Sequence, residues 1–98
     1  MDLYVILRRD GWGSAAELEE AAARSRKAAD EEMPGDVRWI RSYVLEEGAS
    51  SLGTVCIYEA TSPEAIRAHA SLADLPVSEI IRVADTVVVR PDPAAAPA

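Results

Sequence analysis

The sequence holds one histidine and one cysteine, so any chemistry must come from a sparse set of side chains or be shared between chains. His69 is the first residue of interest, because a neutral imidazole can bind a metal or move a proton near neutral pH. Ile66, His69, Ala70 and Ala73 fall at i, i+3, i+4 and i+7, which puts His69 on the buried face of a helix. There it is either a hydrogen-bonded core histidine or a working group. Glu59 closes the strand pattern just before that helix. It is either a solvated strand-end carboxylate or a partner for His69 that raises the imidazole's basicity or completes a metal shell. Alternation puts Cys56 with Thr54 and Tyr58 and opposite Glu59, so Cys56 and Glu59 share a site only if the strand is bulged. A buried free cysteine commonly acts as a small hydrophobe. Arg41 and Tyr43 share a face of a neighbouring strand, where they orient an anion or pair with acids across an interface. Trp12, between Gly11 and Gly13, is a plug over the core or the lip of a pocket. Gly-rich phosphate loops, CxxC, HExxH and nucleophile elbows are all missing.

Six elements must position these residues. Leu3 to Arg9 is rich in β-branched and aromatic types and reads as a strand, followed by a loop over Asp10 to Gly13. Ser14 and Glu17 have capping-box spacing at the start of a helix that Pro34 and Gly35 end. Leu18, Ala22, Ser25 and Ala29 form its small-residue face. Val37 to Glu46 reads as a second strand, with Val37, Trp39, Arg41, Tyr43 and Leu45 on one side and Arg38, Ile40, Ser42, Val44 and Glu46 on the other. A polar turn leads to a third strand, Leu52 to Ala60. Ser62 caps the second helix, with Pro63 at its favoured first position. Glu79 to Val89 reads as a fourth strand. The order β-α-β-β-α-β predicts an α+β, ferredoxin-like sandwich, with a four-stranded antiparallel sheet and two helices on one face. Residues 1–90 form one domain and residues 91–98 (PDPAAAPA) a disordered tail.

Both faces of the predicted strands carry apolar residues. The helices cover one face, and a chain of 98 residues has nothing left to cover the other. A homodimer pairing sheet to sheet, a dimeric α/β-barrel arrangement, is therefore expected. The net charge of −7 argues against a nucleic-acid partner. A single cysteine requires no oxidising compartment, and no apolar run reaches the roughly 20 residues of a membrane helix. Cytoplasmic location and no membrane partner are expected.

VRWIRSYVLEEG, CIYEATSPEAIRAHA and the following Leu75–Pro76 resemble the small proteins grouped as domain of unknown function 4242. That family is described as ferredoxin-like and dimeric and includes a nickel-binding protein. The resemblance spans roughly Leu3 to Val89 and is most specific at Cys56, Tyr58, Glu59, Ala60, Pro63, His69, Ala70, Leu75 and Pro76. Asp74 stands where the family pattern has glycine. The resemblance implies a dimer binding a metal ion or a small molecule, with nickel as the cofactor to test and no organic cofactor. As a nickel protein, its ligands would come from His69, Glu59, Tyr58 and Cys56. As an enzyme or binding protein for a small hydrophobic metabolite, its pocket would be lined by Trp12, Tyr43, Tyr58 and His69, with His69 as acid/base.

Overall fold

The computed structural model describes residues 1–93. Its strands are β1 (Asp2–Trp12), β2 (Val37–Glu46), β3 (Leu52–Ala60) and β4 (Glu79–Arg82), and its helices are α1 (Ala15–Lys27) and α2 (Pro63–Ala73). The sheet is antiparallel throughout, in the order β2-β3-β1-β4. This is the ferredoxin-like α+β fold predicted from the element order. Ser14 Oγ accepts the Glu17 N–H at 3.2 Å, while the Glu17 carboxylate reaches back to Gly13 N–H rather than to Ser14. The α1 axis runs on through a wider π-helical turn, Ala28–Glu32, before Pro34. Ser62 caps α2 by accepting the Ala65 N–H at 3.1 Å.

Alternation divides the sheet cleanly. Tyr4, Ile6 and Arg8 of β1 and Thr54, Cys56, Tyr58 and Ala60 of β3 face the helices and are buried. They pack with Ile66, His69, Ala70 and Ala73, the α2 face predicted from spacing, and with Ala21, Ser25, Ala28 and Ala29 from α1 and the turn after it. Small residues on α1 bring it close to the sheet, as their spacing suggests. Leu3, Val5, Leu7, Val55 and Ile57 lie on the opposite, open face and are only half-buried.

Three expectations need correction. In β2, Trp39 pairs with Tyr58 but Arg41, not Ile40, pairs with Ile57. The extra residue is a bulge at Ile40, and it reverses the faces beyond it. Ser42 and Val44 therefore join Trp39 on the helix side, and Arg41 and Tyr43 turn to the open face. In β1, pairing continues beyond Arg9 to Trp12, across an irregularity where Asp10 takes φ 49°. The fourth strand stops at Arg82 rather than Val89. Its partner β1 begins at Asp2, so after Arg82 pairs with Tyr4 and Val83 N–H reaches Leu3, little ladder remains. The chain then returns to β2, where Asp92 accepts from Arg41 at 2.6 Å and from Tyr43 at 2.7 Å. Of the predicted tail, residues 94–98 lie outside the described residues.

Asp74 ends α2 in the left-handed conformation, φ 54° and ψ 60°. Leu75 N–H bonds to Ala70 O at 2.8 Å, closing the helix as a glycine at this place would. Asp74 thus makes the turn with a residue less suited to it than glycine. No helix among the described residues is long and apolar enough to cross a membrane.

Candidate functional site

Between α1 and the bulged end of the sheet lies a cavity of about 300 Å³. Trp12, Leu18, Ala22, Trp39, Val44 and Tyr58 supply most of its apolar wall. The β2 bulge opens this space by presenting Ser42 and Val44 instead of Arg41 and Tyr43. Trp12 is 8% exposed, so it serves both as plug and as pocket lip. Trp39 stacks on Tyr58 with ring centroids 6.1 Å apart and planes 9° apart. Trp39 Nε1–H donates to Ser42 Oγ at 2.8 Å, which fixes the indole.

Arg8 also lines the cavity and is 1% exposed. Its Nη1 donates to Pro76 O at 2.7 Å, its guanidinium lies 5.9 Å from the Tyr58 ring centre, and its Nη2 has no partner. A guanidinium this deeply buried normally has an anion beside it. Sequence reasoning missed Arg8 because an arginine near a strand end reads as solvated. The available signal was parity, since Arg8 continues the buried series Tyr4, Ile6.

His69 is fully buried behind Tyr58, with ring centroids 5.3 Å apart, and does not line the cavity. Its Nε2 lies 3.0 Å from Ser25 O. A carbonyl can only accept, so Nε2 carries the proton and Nδ1 keeps a lone pair, which has no partner. Burial holds the imidazole below its ordinary pKa of 6.5; the Ser25 carbonyl opposes that shift and the Arg8 charge adds to it. His69 is therefore neutral at pH 7. Tyr58 donates to or accepts from Ser25 Oγ at 2.6 Å. Burial raises its pKa, so it stays a neutral phenol.

The other candidates lie apart from His69. Glu59 is on the open face with Val55 and Ile57, in an ion pair with Arg38 at 3.2 Å. The sheet separates it from His69, because α2 packs on the other side. Cys56 is on the helix face, and its thiol donates to Thr54 Oγ1 at 3.2 Å. Tyr43 is on the open face with Asp92, away from Trp12 and Tyr58. The cavity thus brings together Trp12, Tyr58 and Cys56, and excludes Tyr43, Glu59 and His69.

Nickel is the metal to fit to this donor set. It would need several deprotonated or lone-pair ligands around one point. Among the described residues no group of three or more His, Cys, Asp or Glu side chains converges. His69 offers one buried nitrogen beside a neutral phenol. The described residues of a single chain do not fit a nickel site.

No curated protein matches this chain. A solved structure, the crystal structure of SCO4226 from Streptomyces coelicolor A3(2), is similar with a TM-score of 0.67 at 20% identity. The match covers 87% of this chain and 99% of that one, and at this identity it speaks to the fold. Residues 4–83 match the family described as nickel responsive protein SCO4226-like, from the first core tyrosine to the end of the β4 ladder. The chain belongs to the nickel responsive protein SCO4226-like family.

Proposed function

We propose that this protein is a binding protein for a small, largely apolar molecule, held between α1 and the sheet, and that it works as a homodimer. The observation that carries the reading is the cavity of about 300 Å³ walled by Trp12, Trp39 and Tyr58. That volume stands at the low end of about 300–1,000 Å³ typical of ligand pockets. Binding is favoured over catalysis because the titratable imidazole, His69, sits behind Tyr58. The test is thermal unfolding of the wild type and of Ala22→Phe with benzyl alcohol. The midpoint should rise in the wild type and stay unchanged in the filled variant. Equal behaviour of the two proteins would contradict the reading.

Support for the dimer comes from the open face. Ile40, Tyr43 and Ile81 are 41–44% exposed, and Val87, Val88 and Val89 are 75–86% exposed. The valines and the sheet border a groove of about 980 Å³. A second copy laid sheet to sheet would cover these residues with the same surface it offers. Sedimentation should give roughly twice the 10.5 kDa chain mass. A folded monomer across the concentration range would sink the dimer.

Family membership favours a second reading, a divalent metal, nickel first, held by ligands shared between two chains. The net charge of −7 favours cations near the surface. Titration calorimetry with nickel on tag-free protein, beside His69→Ala, separates the cases. The seal around His69 predicts that any binding is unchanged in the variant. Loss of binding would place His69 in the metal site, and no binding would remove this reading.

A further inference from the structure

We propose that the cavity selects a small organic anion, a monocarboxylate with an aromatic or short aliphatic body, and that Arg8 is the residue that reads its charge. This rests on the cavity being a ligand site and names what it takes. Three polar side chains of the lining, Arg8, Ser42 and Thr54, have a donor to spare. Arg8 Nη2 is buried without a partner. Ser42 Oγ already accepts from Trp39, so its own proton is free to donate. Thr54 Oγ1 already accepts from Cys56, with the same consequence. Arg8 and Thr54 are register partners across β1 and β3, and Ser42 of β2 pairs with Cys56 of β3, so the three donors belong to adjacent strands on one face.

Their complement is a group that only accepts, and a carboxylate offers two oxygens for that purpose. Arg8 makes no ion pair among the described residues. Glu19, the carboxylate on the lining, is exposed on α1. The Trp12 and Trp39 rings would then take the apolar body. A neutral ligand of the same shape would leave the guanidinium unpaired, so charge is the property the site discriminates.

The test compares benzoate with benzamide, which differ in charge but hardly in shape, by titration calorimetry on the wild type. Benzoate should bind at least tenfold more tightly, and Arg8→Met should abolish that preference. If Arg8→Met does not fold, Thr54→Val should narrow it. Equal affinity for benzoate and benzamide would overturn the inference while leaving the cavity as a ligand site. Failure of benzoate, benzamide and benzyl alcohol alike would overturn both.

Discussion

The two faces of this sheet are built from the same strands but solve opposite problems. The helix-covered face is buried and apolar, yet among the described residues it holds two buried polar atoms with no hydrogen-bond partner, Arg8 Nη2 and His69 Nδ1. The open face is half-buried, and two of its arginines are paired with acids: Arg38 with Glu59 and Arg41 with Asp92. Exposed pairs of that kind contribute little to stability. The contrast separates roles. In the proposed reading, ligand binding uses the face where water is excluded and donors are fixed, and self-association uses the face whose aliphatic residues lack a cover.

The sharpest way to break the comparison is to truncate one isoleucine on each side. Ile66→Ala removes a fully buried side chain from the helix layer and should cost about 2–5 kcal/mol. Ile81→Ala, on the open side and 44% exposed, should cost less than about 1 kcal/mol in a dilute monomer. Denaturant unfolding at low and high protein concentration checks both. A cost for Ile81→Ala that grows with concentration would locate the dimer contact on that face.

Next in size is Gly53→Ala. A Cβ there would stand 2.7 Å from the Arg8 carbonyl oxygen and also meet the Glu47 carboxylate, which holds Arg9 and Asp10 N–H. The backbone must move, so a loss of about 1–3 kcal/mol is expected. Because Arg8 moves with it, benzoate affinity should fall too, whereas the open-face Ile81→Ala should leave it unchanged.

The pH dependence tests the covered face alone. The folded pKa of His69 lies below its unfolded value, so the unfolded chain binds the proton more readily. The stabilising contribution is complete above about pH 6.5 and is lost as pH falls towards the folded value. Stability of the wild type should therefore decline below pH 6.5 more steeply than that of His69→Gln. Parallel curves would show that His69 titrates freely. The smallest effect is a gain. Asp74→Gly relieves a left-handed residue and should add about 0.5–1 kcal/mol, measured by the same unfolding curves.

The fold was legible because local signals agreed with it. Ser14 and Ser62 mark helix starts, and the spacing from Ile66 to Ala73 names the buried face of α2 correctly. The site was legible only in pieces. Trp12, Tyr58 and Cys56 do border the cavity, but the bulge at Ile40 carries no sequence mark, and it decides that Ser42 rather than Tyr43 faces inward. Arg8 carried a parity signal, continuing the series Tyr4 and Ile6, but only the long-range register sets it opposite Thr54. Strand β4 was read too long because Val87 to Val89 have strand character, whereas the length of a strand also depends on a partner.

The most direct test of a ligand cavity on the covered face is a two-dimensional amide NMR titration with benzyl alcohol. Saturable shifts are predicted at Trp12, Ala22, Thr54 and Tyr58 and at the indole N–H groups of Trp12 and Trp39. An unperturbed spectrum, or shifts confined to Ile40, Tyr43 and Val87 to Val89, would contradict it.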